Sequence, residues 1–571
     1  MSRFSFRGPA RAALALVGVL TLAGAGQGEE GPVVSARPGQ RVARPLPAPV
    51  DGAIRLSLDE AIAIVIANNQ DLNIAVYNAE ATQYFLMASE GIFDPLVGAF
   101  ANRNHDETPS SSALSGAPVS VKLDSYNFGA NVTQLAPWGG TFQLGTAGGR
   151  TATNSTFANP NPGFTAGLTA TVSQPLLRNF GFTATKWQIY ISKNTRDASY
   201  QRFVRVVQNG VNSVEQAYWD LAYAYQNLEV AKETLRIAQD LNRITKIRID
   251  VGSLAPIDIT QTEVGIAQAE QQIITAEGQI GNFQDTLKRL MSFDPAQYTI
   301  PIIPTDSVRV ESVTVNVDQG VTAALARRPE ILAQEYTVDS GRVEYEYWSN
   351  QALPQVNLVA SYGTAGQGGS FFFDPCVIPG DPRCPDPTNP PPPVLIADNG
   401  LGNAYHQTIN RLFPSWSIGL NISYPILNRY AKGQRGAARY LWESSRATLT
   451  TTQQNVVVEV RDAARQIDTA QRQIAATAKG RELAERNLDA EKKKFDNGMT
   501  TSFQVNQIQR DLSAARVTEL QALVFFRKAV AAYHNAVADN LEWKGISIEG
   551  IPETTAPPSY ANTTAAASLS R

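Results

Sequence analysis

The stretches DVGSLAPIDITQTEV (residues 250–264) and DNGMTTSFQVNQIQR (residues 496–510) stand 246 residues apart and share one plan. Each has an Asp, a Gly two residues on, a short polar turn, and then a helical pattern. Gly permits the positive φ with which many helices end, and it lets another backbone approach closely. A long heptad run precedes each turn. Val207, Val211, Val214, Tyr218, Leu221, Tyr225 and Leu228 step by 4, 3, 4, 3, 4 and 3. Val456, Val460, Ala463, Ile467, Ala470 and Ile474 step by 4, 3, 4, 3 and 4, and Thr477 interrupts the seam. This is the spacing of helices packed side by side. No Pro falls between residues 185 and 250, and ~65 helical residues reach on the order of 100 Å. The return segments, about 256–291 and 501–540, carry Ile266, Ala269, Ile273, Ala276 and Ile280, and Leu512, Ala515, Leu520 and Leu523. Elsewhere they are mostly Gln, Ala, Glu and Thr. A narrow apolar seam with much polar surface suits a hollow, water-lined assembly, and equally a solvated coiled coil.

The turns are the last of four landmarks that recur in order. LSLDEAIAIVIANNQDL starts at Leu56 and VNVDQGVTAALARRPEI at Val315. Both start with alternation, place an acidic residue near a helix N-terminus, and end in a polar stop. Pro95 and Pro354 precede alternating segments, and LTATVSQPLL and LNISYPIL align Pro175 with Pro425. Offsets of 259, 259, 250 and 246 residues follow from these positions, the pattern left by tandem duplication with loop-length differences. Each half reads as helix, strands, long helix, turn, long helix. The segments LVGAF (96–100), LTATV (168–172), VNLVA (356–360) and IGLNI (418–422) alternate. With flanks they are about ten residues long, which suits transmembrane β-strands. Trp138, Trp416, Tyr362 and Tyr424 lie near strand ends, as an aromatic girdle or as the core of a soluble sandwich.

The chain begins MSRFSFRGPAR, continues with the apolar run AALALVGVLTLAG, and offers Ala23-Gly24-Ala25 for cleavage. We expect a signal peptide over 1–25, an uncleaved anchor being the alternative. A Pro/Arg-rich lead-in follows over 26–55. The first structural repeat spans 56–295, a linker 296–314, the second repeat 315–545, and a disordered tail 546–571. No later stretch has 18 uninterrupted apolar residues, so membrane entry would be by β-strands. Lys plus Arg (49) nearly balances Asp plus Glu (52), which argues against a nucleic-acid partner. With three His and two Cys, a zinc or iron site is close to excluded. Cys376 and Cys384 sit in a Pro-rich segment and are expected to form a disulfide in an exported chain, idle thiols being the rival. No phosphate loop, GxSxG or HExxH occurs, so neither enzyme nor cofactor is indicated.

Together the LSLDEAI opening, the strands after FDP and LP, the QPLL and YPIL exits and the Gly-centred turns resemble the TolC-type outer-membrane efflux proteins. The resemblance covers about residues 56–542. It implies a mixed α and β membrane protein: a trimeric outer-membrane β-barrel continuous with a long periplasmic α-helical coiled-coil barrel, internally duplicated. Each protomer would supply four strands. The segment 121–150, around PWGG (137–140), has no counterpart in the second half and is either an added barrel hairpin or an extracellular loop. The implied partners are two further copies, a periplasmic adaptor (membrane fusion) protein, an inner-membrane RND or ABC pump, and outer-membrane lipid. The resemblance places Val251, Gly252, Ser253, Leu254, Asn497, Gly498, Met499 and Thr500 at the adaptor-contacting tips. It makes Asp258, Gln504, Gln507 and Asp511 candidates for the aperture. Relatives often ring that aperture with carboxylates, and the amides of Gln504 and Gln507 put an acidic ring in doubt here. The expected function is the duct of a tripartite efflux or type I secretion system. The alternative is an exported structural coiled-coil or adhesin stalk, and a secreted enzyme ranks third.

Overall fold

The computed structural model describes residues 33–35, 44–110, 119–155, 157–308, 313–373, 376, 382–384 and 391–551. The expected signal peptide, part of the lead-in and the tail from 552 lie outside the described residues. The chain opens with β1 (Val33–Ser35), β2 (Ile54–Leu56), α1 (Leu58–Asn68) and α2 (Gln70–Glu90). Four strands follow: β3 (Leu96–Pro109), β4 (Ser120–Leu135), β5 (Thr141–Thr153) and β6 (Gly163–Pro175). Then come α3 (Phe182–Asp250), α4 (Ile257–Leu290), β7 (Ile302–Pro304), α5 (Val317–Arg327) and α6 (Pro329–Gln351). The remainder is β8 (Gln355–Phe373), β9 (Val394–Asn399), α7 (Leu401–Ile409), β10 (Phe413–Ser423), α8 (Arg429–Asp496), α9 (Ser502–Val537), α10 (Asn540–Trp543) and β11 (Ser547–Glu549).

The long helices run 69 and 68 residues, about 100 Å each. Their heptad positions are the buried ones: Val207, Val211, Val214, Tyr218 and Leu221 in α3, and Val456, Val460, Ala463, Ile467 and Ala470 in α8. Tyr225 and Ile474 are half-buried. In α9 the seam departs from expectation. Leu523 is half-buried, whereas Val524 and Phe526 are buried, because the step after Leu520 is four residues rather than three. α3 packs along α4 and α9, and α8 along α9, so each half folds back on itself and the halves meet lengthwise.

Midway along α3 a thick core gathers α1, α2, β2 and β7. Ser57 opens α1 with a reciprocal capping box to Glu60, which satisfies two orphan N–H groups. Ile62, Ile64 and Ile66 then bury against Tyr218 and Leu221. Three expectations change in this region. The linker 296–314 contains β7, paired parallel with β2, and the lead-in and tail contribute β1 and β11, also paired parallel. Apolar Val34, Ile546 and Ile548 pack onto the same core, which orders segments whose composition reads as loose. Ion pairs tie the halves together at this level: the almost fully buried Arg328 meets Glu330 and Glu459, each at 2.6 Å, and Arg205 meets Glu330 at 2.9 Å.

The sheet runs β10-β8-β6-β5-β4-β3, with β9 added beside β8, and every neighbouring pair is antiparallel. The segment 121–150 therefore forms a hairpin within the sheet, not a surface loop. The path holds six strands where the resemblance implies four. Cross-strand partners share a face, so the register sorts the two faces. One carries Val97, Val132, Leu144, Ala170, Leu358 and Ile418; the other carries Gly98, Asn131, Gly145, Thr169, Asn357 and Gly419. Apolar and polar residues thus alternate through the sheet, and both faces are largely solvent-facing in the single chain, apart from the patch around Ala166 and Thr364 that α7 covers. Trp138, Trp416, Tyr362 and Tyr424 are all exposed at more than a third of their surface, which is not the environment of sandwich-core aromatics. Among the described residues no helix is long and apolar enough to cross a membrane.

Candidate functional site

Both opening turns stand at the end of the helical rod remote from the sheet, and they close with the same hydrogen bonds. In the first, the N–H groups of Val251, Gly252 and Ser253 donate to the carbonyls of Ile247 (3.1 Å), Ile249 (2.9 Å) and Arg248 (2.7 Å). In the second, Asn497, Gly498 and Met499 donate to Lys493 (3.3 Å), Phe495 (3.0 Å) and Lys494 (2.9 Å). The bond that spans five residues back is the signature of a Schellman ending, with Gly in the left-handed region. Gly252 and Gly498 have φ of +77° and +71°. The two turns are one motif used twice.

They enter the next helix differently. α4 starts behind Pro256, without a side-chain cap, whereas the Thr501 hydroxyl caps α9 by accepting from the Gln504 N–H. Beneath the tips, Leu241, Leu488, Phe495, Val505, Ile508 and Leu512 form a small apolar cluster, with Leu254 packed on it. Val251, Met499, Ile257 and Phe503 instead project outward, each more than half exposed.

The polar contacts between the hairpins join the candidates Asp258 and Gln507 to residues that the sequence pattern does not single out. Arg248, in the last turn of α3, donates to the Phe495 carbonyl and to Asp496 Oδ1 (2.9 Å), with its guanidinium 4.3 Å from the Phe495 ring centre. Asp258 accepts from Ser502 Oγ at 3.1 Å; its partner is thus Ser502, not the Thr500 that stands nearer the turn. Asn506 donates to the Gln261 carbonyl at 3.3 Å. Gly265 lies opposite, and a Cβ there would come within 2.5 Å of the Asn506 amide. Arg510 bridges Gln268 (2.9 Å) and Gln507, and Gln507 in turn donates to Asp511 at 3.2 Å. Gln504 is exposed and Gln507 half-buried. The aperture candidates therefore split: Asp258 faces the other hairpin, while Gln507 and Asp511 belong to one network anchored by Arg510.

Thr500 turns inward and donates to Glu491 Oε1 at 2.6 Å, while Lys494 binds the other oxygen, Oε2, at 3.0 Å. The Thr500 hydroxyl, helped by the Lys494 ammonium, holds the Glu491 carboxyl below the usual carboxylate range. A helix-terminal basic residue is a readable signal, and Arg248 and Lys494 occupy equivalent places 246 residues apart. Only tertiary packing separates their roles, since Lys494 binds its own helix and Arg248 the other hairpin. Above these contacts a cleft of about 700 Å³ opens between α3, α4 and α9, lined by Gln268, Gln271, Gln272, Arg510 and Gln521 among others. Far away, beyond the sheet, Cys376 and Cys384 are bonded, with Cα atoms 5.0 Å apart. Among the described residues no group of three or more His, Cys, Asp or Glu is placed to hold a metal.

Comparison with known proteins supplies the context for this geometry. The family model described as outer membrane efflux protein matches residues 61–292 and 321–532. Outer membrane efflux protein BepC of Brucella suis biovar 1 (strain 1330) is 23% identical over 288 residues, covering 49% of this chain and 52% of its own. Toxin and drug export protein A of Aggregatibacter actinomycetemcomitans is 23% identical over 220 residues, 37% of this chain and 47% of its own. The chain thus spans about half the length of each of these curated relatives. The solved CmeC outer membrane channel of Campylobacter jejuni shares the fold, with a TM-score of 0.61 at 14% identity, covering 86% of this chain and 89% of that one.

Proposed function

The chain belongs to the outer membrane efflux protein family, and from that premise we propose that it is the outer-membrane duct of an export machine. The observation that carries this reading is the sheet. Its apolar and polar faces, continuous with ~100 Å of helix, are those of a membrane wall on a periplasmic tunnel. The wall is unfinished in one copy, because β3 and β10 each have one edge without a strand partner among the described residues. Unpaired backbone groups are very costly in hydrocarbon, so membrane sheets close. β3 leaves the helical end and β10 returns to it, so β10 of one copy and β3 of the next can pair antiparallel. A homotrimer would close both the barrel and a tunnel of twelve long helices.

Conduction in this reading is passive. No group in the chain is asked to do chemistry, and energy comes from an inner-membrane RND or ABC pump coupled through a periplasmic adaptor. The outward-facing Val251, Ile257, Met499 and Phe503 are the surface offered to adaptor hairpins. The contacts of Arg248, Asp258 and Arg510 hold the tips together, and their release would widen the aperture. A structural stalk would account for the helices but has no use for a sheet with one apolar and one polar face. Expression in a Gram-negative host tests the proposal. It predicts an outer-membrane fraction and a detergent-dependent oligomer of three chains; a rod that stays soluble without detergent would refute it.

A further inference from the structure

We propose that the barrel wall of this duct has six strands per copy, eighteen in the trimer, where the family resemblance implies four per copy and twelve. The inference rests on the homotrimeric membrane reading above and concerns the bore of its exit. The hairpin β4–β5 has no counterpart in the second half, and its place decides the matter. It is inserted between β3 and β6, the two strands that would otherwise be neighbours, and it is paired along its length on both sides. β3 and β4 are in register from Leu96↔Thr133 to Pro109↔Ser120, and β5 and β6 from Thr141↔Ser173 to Thr151↔Gly163.

Three further observations place the hairpin in the wall. Its faces continue the pattern of its neighbours, with Val132 and Leu144 on the apolar side and Asn131, Gln143 and Gly145 on the polar side. Its tight turn is docked at the helical end: the Gly139 N–H closes onto Ala136 at 2.9 Å, and the Gly181 N–H donates to the Trp138 carbonyl at 3.2 Å. A Cβ at Gly139 would stand 2.2 Å from the Asn179 carbonyl oxygen, so the turn fits closely against the exit into α3. Finally, α7, on the β8–β10 connection, lies on the apolar face, where Ala404 covers Gly366. That helix therefore does not enter the bore.

With strands ~4.8 Å apart and tilted ~40°, eighteen strands enclose about 36 Å between backbones, against about 24 Å for twelve. The polar face is lined mostly by small neutral residues such as Gly98, Gly145, Thr169, Gly363 and Gly419, with Phe100 the bulky exception on β3. The exit would thus be wide, its one carboxylate on this face of β3 being Asp106, toward the strand end remote from the helices, leaving size selection to the helix tips and pump. Cargo bulkier than a twelve-stranded exit passes is the class this wall admits.

Single-particle imaging of the detergent-purified full-length oligomer tests this by counting strands at the level of Gly145. We expect threefold symmetry with six strands per copy. A threefold barrel with four strands per copy, or a twofold barrel of twelve, overturns the wider wall while leaving an outer-membrane duct intact; a detergent-independent monomer overturns both. A second readout uses intact cells and a hydrophilic maleimide. Gln143→Cys should label through the lumen and Leu144→Cys should stay protected by lipid, whereas equal labelling of the two overturns the proposal.

Discussion

Arg248 and Asp258 show how differently two polar contacts at one tip weigh. Arg248 binds a main-chain carbonyl, a carboxylate and a ring face on the facing hairpin. Asp258 makes one cross-hairpin bond, from the Ser502 hydroxyl, and such a bond is worth about 1 kcal/mol. Asp258→Ala should therefore raise channel conductance by no more than about fivefold, the factor that about 1 kcal/mol allows, and by less than Arg248→Ala does; a rise as large as that variant's would assign it a larger share of the closure. Glu491 adds a pH dependence. Its folded pKa is lowered, so its contribution is present above the ordinary glutamate range and fades as pH falls through the lowered value. Protection factors at residues 497–501, which correct exchange for its intrinsic pH dependence, should be flat near neutrality, fall only on acidification below the ordinary glutamate range, and lose that fall in Glu491→Gln. Of this site, Gly252 and Gly498 were legible from sequence, because a positive φ leaves a mark in residue type. Arg248, Ser502 and Asn506 were not, since their partners are about 245 residues away and local pattern holds no trace of them.

At the scale of elements, the long helices were legible because their stabilisation repeats. Each heptad step buries one apolar residue, and the seam is written many times over. Where burial is shared among several neighbours the period blurs. The sequence of 56–72 reads as one helix ending in a polar stop, but the chain breaks at Asn69 and continues as the 21-residue α2. That helix buries only Leu72, Val76, Ala79 and Leu86, too few for a clear stripe. α6 escapes because its buried Ile331, Ala333, Tyr336, Val338 and Val343 step by 2, 3, 2 and 5 and form no regular stripe, and α7 and β9 because they follow a Pro-rich segment without periodicity. The tip cluster gives a sharper check on packing. Ile508→Ala removes a nearly buried side chain from the contact between the hairpins, and such changes cost about 2–5 kcal/mol. Because the cluster lies at one end, exchange should accelerate around residues 241–254 and 488–512 while the core around Tyr218 keeps its protection. Uniform acceleration along the rod would mean that the helices fold as one unit.

For the whole molecule, the order of elements was readable in the repeated landmarks, and so was the alternation of the strands. The strand count was not, because an alternating hairpin looks the same in a sheet as in an overhanging loop; only pairing on both sides distinguishes them. The joint made by β1, β2, β7 and β11 was likewise hidden, being built from three-residue strands with few apolar anchors. In the proposed duct the restriction lies at the tips rather than in the barrel. The most direct test is single-channel recording of the purified oligomer in planar bilayers, comparing wild type with Arg248→Ala. A tip-gated duct should show a small wild-type conductance and a several-fold larger one in the variant, with the oligomer unchanged. Equal conductances, or no channel from either protein, would contradict it.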